Sequence, residues 1–275
     1  MRFRIFGNGA FGTALGTIFH KNMLLEDSLG SEFAPIVDGD IMIPAVPSDV
    51  CVMVIEKLLK FGRPDAIMLV SKGLASNQVL SNECNFDIPI LFFAGPNLAK
   101  EIASNVEFLS ATIAGPVQFT RSIKEFLDDM IIDTTQDLIM PQISAVIKNV
   151  TAFVIGYLQP NQNARATLIM QGMKEAVELS RKLGSKENDF LRGCFGDFVL
   201  TCTSEHSRNY KAGKAMKEGD LLNETQESLK SVDNIYEMKG DLKLPIIEFF
   251  YNLIKHNRCE TDLLHKTIAA QQFGV

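Results

Sequence analysis

Two isolated charges in the second half of the sequence are the first candidates for chemistry. Lys148 is the single formal charge in residues 141–164, PQISAVIKNVTAFVIGYLQPNQNA, and Asp197 is the single charge in residues 193–204, GCFGDFVLTCTS. Removal from water lowers the pKa of an ammonium group toward the range that suits proton transfer, and a buried carboxylate is costly unless it is paired. We therefore predict that Lys148 and Asp197 meet in one desolvated site.

Each of these charges also has an ordinary structural explanation. A lysine in the middle of an apolar helix can extend its ammonium group to water along the helix surface. An aspartate before an apolar run can cap a helix, which here would begin at Phe198. A cap is compatible with a shared site, whereas a solvated Lys148 is not.

A third candidate follows directly in the sequence. The stretch SEHSRNY, residues 204–210, contains Arg208, whose planar guanidinium group suits a phosphate or phosphodiester, and Asn209, which adds a neutral donor. A surface arginine without a ligand is the alternative. Because the chain has a formal net charge of −6, any anionic ligand has to be held by a few placed cations.

The N-terminus carries a glycine pattern that is typical of a dinucleotide site. The apolar run at 2–6 leads into GNGAFG, in which Gly7, Gly9 and Gly12 match G-x-G-x-x-G, and a helical pattern follows at 13–19. In a strand–turn–helix unit these glycines permit the tight turn, the approach of a pyrophosphate and close helix packing, and the helix N-terminus supplies amide donors. We predict a dinucleotide site here; an ordinary strand-to-helix turn is the alternative.

Apolar strands alternate with helical patterns through the rest of the first half. Strands are predicted at 41–46, 66–71, 90–94, 108–114 and 130–134, and helices at 48–60, 96–104 and 116–128. This alternation indicates a mostly parallel sheet that is covered by helices on both faces. Ligands bind beyond the carboxyl ends of such strands, which places Lys72 near a ligand, although a solvated loop lysine fits its position equally well.

The ribose end of the predicted dinucleotide site is less well defined. The second strand of such a domain should end in an acid that binds the adenosine ribose, and only the segment MLLED, residues 23–27, offers one. Glu26 or Asp27 could serve, or both could be helix or loop charges.

From Pro141 onward the strand patterns stop. After the helix that carries Lys148, helical patterns are predicted at 164–183 and near 187–192, 205–218, 228–238 and 245–257. The sequence thus predicts an α/β Rossmann domain with a mostly parallel sheet, residues 1–140, and an all-α substrate and catalytic domain, residues 141–275.

The composition excludes several classes of protein. At 275 residues, with 46% hydrophobic and 22% charged residues, the chain is long enough for two domains and is not expected to be disordered. The acidic charge without Lys/Arg-rich runs argues against nucleic-acid partners, and no apolar run predicts a membrane span. Five widely spaced cysteines without a CxxC pair predict neither a zinc site nor a disulfide framework, so we expect no metal and a cytoplasmic location.

These segments follow one another in the same order in one known family. The chain resembles the bacterial-type NAD(P)-dependent glycerol-3-phosphate dehydrogenases in the blocks GNGAFGTAL, AVPS, SKGL, AGPNLAKEIA, AVIKNVTAFVIG, NARATLIMQGMKE and FGDFVLTCTSEHSRNYKAG. The resemblance implies a two-domain fold with the active site in the cleft. It also implies the reversible reduction of dihydroxyacetone phosphate to sn-glycerol 3-phosphate, which supplies glycerophospholipid synthesis.

Matching positions carry the family's functional residues over to this sequence. By resemblance, Lys148 is the proton donor and acceptor and Asp197 is its partner. The phosphorylated three-carbon substrate would contact Lys72, Gly95, Asn97, Asn149, Thr201, Ser207, Arg208 and Asn209. The cofactor, NAD or NADP, would contact Gly7, Gly9, Ala10, Phe11, Gly12, Lys72, Ala99, Arg208 and Glu227.

The sequence departs from the family pattern in places. The family usually has a longer segment between the first helix and the strand at 41–46, so the resemblance does not decide between NAD and NADP. Asn97 stands where Ser or Thr is commoner, and the loop at 156–163 is shorter. A homodimer is compatible with the resemblance, which leaves the oligomeric state open.

Two other functions fit parts of the pattern. Related dehydrogenases with a Rossmann and a helical domain act on a hydroxyacid or ketopantoate and also use a lysine on the first helix of the second domain. They recognise a carboxylate, whereas the SRN block favours a phosphate. A non-catalytic dinucleotide-binding protein could retain the same scaffold.

Overall fold

The fold is shown by a computed structural model that describes residues 1–26, 33–75, 78–96, 102, 108–187, 191–220 and 227–271. The strands are β1 (Arg2–Phe6), β2 (Met23–Glu26), β3 (Asp40–Pro44), β4 (Ala66–Leu69), β5 (Leu74–Ala75), β6 (Gln78–Val79), β7 (Ile90–Ala94), β8 (Ser110–Ala114) and β9 (Ile131–Thr135). The helices are α1 (Ala10–Ile18), α2 (Ser48–Leu58), α3 (Leu80–Glu83), α4 (Val117–Phe126), α5 (Ile139–Leu158), α6 (Gln162–Lys182), α7 (Arg192–Thr203), α8 (Arg208–Glu218), α9 (Glu227–Lys230), α10 (Val232–Lys239), α11 (Pro245–His256) and α12 (Thr261–Ala270). Short 3₁₀ turns follow α1 and α2 at His20–Asn22 and Leu59–Phe61.

A sheet of seven strands organises the first half of the chain. Its order is β2-β1-β3-β4-β7-β8-β9, and neighbouring strands are parallel except β7 and β8. β1 pairs with β2 on one side and with β3 on the other. The chain therefore reverses its progress across the sheet beside β1, and such a switch point opens a ligand crevice beyond the carboxyl ends of the strands.

The inner strands are apolar along their whole length because both of their faces are covered. Alternate side chains point to opposite faces of a strand. In β1, Phe3 packs with Leu15 of α1 on one face, whereas Phe6 packs with Ile55 of α2 on the other. The predicted mostly parallel sheet with helices on both faces is confirmed.

Helix α5 is the centre of the helical half. Every residue from Met140 to Gly156 is buried, and the helix packs against α6, α7, α8 and α11. Among the described helices, α5 is long and apolar enough to cross a membrane, but 94% of that apolar window is buried inside the protein. Protein packing therefore accounts for its apolar sequence.

Two glycines allow the backbones of α5 and α8 to pack in direct contact. A methyl group added at Gly156 of α5 would overlap the backbone oxygen of Tyr210. One added at Gly213 of α8 would overlap the backbone oxygen of Phe153. The two helix backbones can approach this closely only because both positions lack a side chain, and the contact fixes the position of Arg208 at the start of α8.

Some predicted helix boundaries are wrong. The prediction of a helix at 187–192 fails because residues 187 and 191 are not helical and α7 begins at Arg192. Asp197 lies in the middle of α7 and therefore does not cap a helix at Phe198. The carboxylate at the start of α7 belongs to Asp133 of β9, which accepts a hydrogen bond from the Arg192 backbone at 2.7 Å. A contact between residues so far apart in the sequence leaves no local signal.

Smaller differences concern the other helices. The helix predicted at 205–218 begins at Arg208, because residues 205–206 form a turn and Ser207 is the N-cap of the helix. The pattern near 228–238 is divided into α9 and α10, and α12 was not predicted. The helix predicted at 96–104 lies largely outside the described residues.

Gly213→Ala tests the contact between α5 and α8. In an open helix this change stabilises the protein by about 1 kcal/mol, but here the added methyl group overlaps the Phe153 carbonyl. We expect a net loss of about 1–3 kcal/mol in the free energy of unfolding, measured by urea denaturation. Ser122→Ala, on the exposed face of α4, is the control with little expected change. A raised urea midpoint for Gly213→Ala would contradict the packing.

Candidate active site

The glycine turn between β1 and α1 has the shape that a dinucleotide needs. Gly7 has a φ angle of +127°, and a methyl group there would lie 2.5 Å from the Ala45 oxygen. At Gly12 a methyl group would overlap the Gly7 oxygen. At Gly9, by contrast, a methyl group meets no described atom within 4 Å. The turn is therefore tightly packed on its inner side and open at Gly9, where a pyrophosphate would approach.

The first residues of α1, which follow the glycine turn, also suit a dinucleotide. Ala10 and Phe11 begin α1, and no side-chain cap occupies the N-terminus of this helix. Its first amides are thus available to an anion, which the helix dipole also favours. The residues that are present fit a bound NAD or NADP.

Lys148 is buried at the centre of α5, with 3% of its surface exposed. Its Nζ forms an ion pair with Asp197 Oδ1 and donates a hydrogen bond to Thr201 Oγ1 at 3.0 Å. Thr201 Oγ1 in turn donates to the Asp197 backbone oxygen at 2.7 Å. Successive turns of α7 therefore present an anion and a hydroxyl group to the same ammonium group. The predicted contact between the two isolated charges is confirmed, and Lys148 does not extend to solvent.

Lys72 adds a second ammonium group to this site. It follows β4, and its Nζ donates to Asp197 Oδ2 at 3.0 Å, so each carboxylate oxygen holds one lysine. The Lys72 side chain is 20% exposed against 4% for Lys148, which places it at the edge of the site. It also lies 5.7 Å from the centroid of the Phe11 ring in the glycine turn. We refer to Lys72, Lys148 and Asp197 as the lysine–aspartate cluster.

Burial changes the proton affinities within this cluster. Desolvation lowers the pKa of Lys148 to about 8, because it outweighs the attraction of Asp197 and is reinforced by the charge of Lys72. Burial alone would raise the pKa of Asp197, but the two lysines outweigh that effect and hold this pKa below its usual value. Because two lysines share one aspartate, the formal charge of the cluster is positive.

Two segments at the carboxyl ends of the strands are held beside the cluster. Ser71 Oγ donates to the Val46 backbone oxygen at 2.5 Å, which joins the segment before Lys72 to the AVPS loop. Gly95 follows β7 and is buried. The next residue, Pro96, packs against α7, where a methyl group added at Gly196 would lie 3.2 Å from its Cγ atom. Gly95 is thus near the part of α7 that carries Asp197.

The candidate phosphate residues lie at the N-terminus of α8. Ser207 is buried, and its Oγ accepts a hydrogen bond from the Tyr210 backbone at 3.3 Å as the helix cap. Arg208 is the first residue of the helix and is exposed. Asn209 is half-buried in the first turn. This arrangement presents a guanidinium group and a helix N-terminus together, which suits a phosphate.

The structure describes only some of the other residues that the family resemblance assigns to the site. Asn149 is buried beside Lys148 on α5. Asn97 and Ala99 lie outside the described residues, and for Glu227 only the backbone, at the start of α9, is described. Lys230 at the end of α9 pairs with Asp49 of α2 at 2.7 Å, which ties this helix to the first half of the chain.

The sequence analysis missed a second buried cation, Arg4 of β1. Its guanidinium group pairs with the carboxylate of Glu26, the last residue of β2. An arginine inside a buried apolar strand was the available signal, since this residue type is almost never fully buried without a partner. Asp27, the alternative acid, lies outside the described residues.

Comparison with known proteins decides the family. Residues 137–265 match the family model described as NAD-dependent glycerol-3-phosphate dehydrogenase C-terminus. The glycerol-3-phosphate dehydrogenase (NAD(P)+) of Rickettsia typhi is 31% identical, with 91% of this chain and 96% of the relative covered. That of Orientia tsutsugamushi is 34% identical, with 82% of this chain and 76% of the relative covered. The chain belongs to the NAD(P)-dependent glycerol-3-phosphate dehydrogenase family.

A solved structure of this family has the same fold. The glycerol-3-phosphate dehydrogenase of Coxiella burnetii is 23% identical and superimposes with a TM-score of 0.80, with 98% of this chain and 99% of that chain covered. Membership of the glycerol-3-phosphate dehydrogenase family makes this chain an oxidoreductase that uses NAD or NADP, which confirms the resemblance. The roles of its individual residues stay predictions.

Asp197→Ala tests the pairing inside the cluster. Because it leaves Lys148 buried without a counter-ion, we expect a loss of about 3–5 kcal/mol in the free energy of unfolding at neutral pH. The double variant Asp197→Ala/Lys148→Met removes both deeply buried charges and should recover most of this loss, since Lys72 is at the edge and can turn to water. Urea denaturation of the wild type, both single variants and the double variant gives the coupling energy. A coupling energy near zero would show that the pair does not stabilise the fold.

Proposed function

We propose that this chain catalyses the reversible NAD(P)H-dependent reduction of dihydroxyacetone phosphate to sn-glycerol 3-phosphate. The observation that carries the proposal is the buried contact of Lys148 with Asp197 beside a second lysine. The relatives from Rickettsia typhi and Orientia tsutsugamushi are named glycerol-3-phosphate dehydrogenases, which supports the same substrate here.

Lys148 is the proposed proton donor of the reduction. Negative charge develops on the carbonyl oxygen, and the Lys148 ammonium group both stabilises that charge and transfers a proton to the oxygen. Asp197 and Thr201 hold Nζ in position for this transfer. In the oxidation the neutral amine accepts the hydroxyl proton of the alcohol. A bound nicotinamide supplies or accepts the hydride.

Lys72 supplies a second positive charge at the same place. Its Nζ is held by Asp197 and lies near Phe11, so it can face the substrate and the cofactor together. Because two ammonium groups share one carboxylate, the cluster attracts an anionic substrate and stabilises a developing oxyanion. The residues that we propose to line the substrate around the cluster are Gly95, Asn97, Asn149 and Thr201.

The N-terminus of α8 is the proposed phosphate site. Ser207, Arg208 and Asn209 meet there, and the Arg208 side chain is exposed to an incoming ligand. Guanidinium groups and helix amides both favour a phosphate. This site is the reason for preferring a phosphorylated ketone to a carboxylate substrate.

The glycine turn is the proposed pyrophosphate site of the cofactor. Gly7 and Gly12 close the turn, Gly9 leaves room, and Ala10 and Phe11 provide the first helix amides. Ala99, Arg208 and Glu227 keep their proposed cofactor contacts from the family resemblance.

The proposal includes a domain division and a cellular context. We place the boundary between residues 140 and 141, in the first turn of α5, where the Asp137 carboxylate accepts a hydrogen bond from the Ile139 backbone at 2.7 Å. A cytoplasmic location is supported by the five cysteines, all of which are free thiols. The product would serve glycerophospholipid synthesis.

A comparison of substrates tests the proposed reaction directly. The purified chain is incubated with NADH or NADPH and with dihydroxyacetone phosphate, ketopantoate or a 2-oxo acid, and the loss of reduced cofactor is followed. We expect turnover with dihydroxyacetone phosphate alone. Turnover with ketopantoate alone would assign the chain to a different reaction, and cofactor binding without turnover of any ketone would indicate a binding protein.

Lys148→Met tests the proton donor. Methionine retains the apolar stem, and Asp197 keeps Lys72 as a partner, so the fold and the Kd for the cofactor should be nearly unchanged. We expect kcat to fall by about 10²–10⁴-fold, the usual contribution of general acid catalysis. Lys60→Met, at an exposed position after α2, is the control with wild-type turnover. Retained turnover in Lys148→Met would remove Lys148 from the mechanism.

The pH dependence should have opposite signs in the two directions. Reduction needs the ammonium form, so its single-turnover rate should be constant below the Lys148 pKa of about 8 and fall about tenfold per pH unit above it. Oxidation needs the neutral amine, so its rate should rise through the same range. Asp197→Asn removes the charge that raises the Lys148 pKa and should shift both profiles to lower pH. Profiles of the same sign in both directions would contradict the assignment.

A further inference from the structure

Helix α5 contains a buried amide, Gln142, that the proposed reaction does not use. It is 2% exposed and precedes Lys148 on the same helix. Its Oε1 accepts a hydrogen bond from the Ser81 backbone at 3.0 Å. Its Nε2 donates to Ser81 Oγ at 2.7 Å and to the Leu138 backbone oxygen at 2.5 Å. Gln142 therefore binds both the backbone and the side chain of Ser81, and each polar atom of its amide has a partner.

Ser81 stands at the base of a small hairpin that begins next to Lys72. The strands of this hairpin, β5 and β6, are antiparallel, with Leu74 opposite Val79. Beyond this pair one arm of the hairpin leads back to Lys72, and the other leads on to Ser81 in α3. One end of the hairpin therefore carries an ammonium group of the lysine–aspartate cluster, whereas the other end is bound to Gln142.

Apolar contacts hold the same hairpin against α5. Leu74 and Val79 are buried and belong to the hydrophobic core that contains Val146 of α5. Apolar contacts have no direction, whereas the two hydrogen bonds between the Gln142 amide and the base of the hairpin fix its position along the helix. The same helix carries Lys148, about 9 Å farther along its axis. Helix α5 therefore sets the positions of both lysines, one directly and the other through the hairpin.

Lys72 needs such a support because it lies at the edge of the site. Its side chain is partly exposed, and the carboxylate that holds it, that of Asp197, also binds Lys148. Before Lys72 the chain is fixed by Ser71 Oγ, which donates to the Val46 backbone oxygen. The hairpin is the corresponding support after Lys72. Since the lysine stem is flexible, Nζ keeps a defined position only while the backbone on both sides is fixed.

We propose that Gln142 is a positioning residue, which holds the Lys72 ammonium group beside Asp197 through Ser81 and the hairpin. Without the two hydrogen bonds the hairpin can move on α5, and Lys72 then leaves the carboxylate for solvent. Lys148 stays buried, because it belongs to the helix itself. The part that Lys72 takes in the reaction rests on the proposed function, whereas its placement by Gln142 does not.

Chemical labelling of lysines tests the placement without any substrate. The wild type and Gln142→Met are treated briefly with acetic anhydride, and acetylation of each lysine is measured by mass spectrometry. Methionine fills a similar volume but makes neither hydrogen bond, so we expect Lys72 to be acetylated about fivefold faster in the variant. The buried Lys148 should keep its low rate and the exposed Lys60 its high rate, whereas unfolding of the whole chain would accelerate Lys148 as well.

A double-mutant cycle with Lys72→Met tests whether this placement serves catalysis. Gln142→Met should lower kcat/KM for dihydroxyacetone phosphate by about tenfold, because small displacements of a positioned group are costly. In the Lys72→Met background the same change should have less than about a twofold effect, since no ammonium group remains to be placed. Gln78→Met, at an exposed position of β6, is the matched control and should leave both the acetylation of Lys72 and kcat/KM unchanged.

Two results would overturn the proposal. One is an unchanged rate of Lys72 acetylation in a folded Gln142→Met variant. The other is an equal loss of kcat/KM in both backgrounds, which would show a general effect on the fold. If Gln142→Met does not fold, Ser81→Ala removes one of the two hydrogen bonds and should still accelerate Lys72 acetylation; an unchanged rate there counts equally against the proposal. Failure to turn over dihydroxyacetone phosphate would reject the proposed reaction, while the labelling would still decide the placement of Lys72.

Discussion

The burial of Lys148 is the constraint on which the rest of the site depends. An ammonium group within a helix that protein covers on all sides is tolerated only if an anion meets it. Asp197 provides that anion, and its second oxygen holds Lys72 at the edge. Since one carboxylate serves two ammonium groups, the site has an excess of positive charge within a chain whose formal net charge is −6. An anionic ligand bound at the lysine–aspartate cluster would neutralise this excess positive charge.

The sheet determines where this anion lies, although Asp197 belongs to the helical half. Helix α7 begins on the sheet, where Asp133 of β9 binds the Arg192 backbone and a methyl group at Gly193 would overlap the backbone of β8. Its other end packs on α5, where Cys202 Sγ lies 3.7 Å from the Lys148 backbone oxygen. The helix thus joins the sheet of the first half to the helix that carries Lys148. Movement of α7 on either partner would separate the charges, so the ion pair depends on the packing of α7 against both the sheet and α5.

The sequence predicts those features that leave a local signal. Continuous apolar runs show the buried strands, the glycine spacing shows the turn, and a lone charge in an apolar run shows a buried site such as Lys148. It does not predict contacts between distant segments, because strand order and helix register decide them. An aspartate before an apolar run therefore also fits a helix cap, although Asp197 lies within α7 and the carboxylate that binds the first amide of this helix belongs to Asp133. The pairing of Lys72 with Asp197 and that of Arg4 with Glu26 were missed for the same reason.

The lysine–aspartate cluster and the ion pairs of β1 differ in their balance of charge. In the lysine–aspartate cluster two ammonium groups share one carboxylate, which favours a developing oxyanion. At the ends of β1 and β2, Arg2 and Arg4 are matched by Asp40 and Glu26. There each guanidinium group is bound by protein acceptors. β2 is an edge strand of the described sheet and pairs with β1, and the ion pair of Arg4 with Glu26 adds a side-chain contact between these two strands.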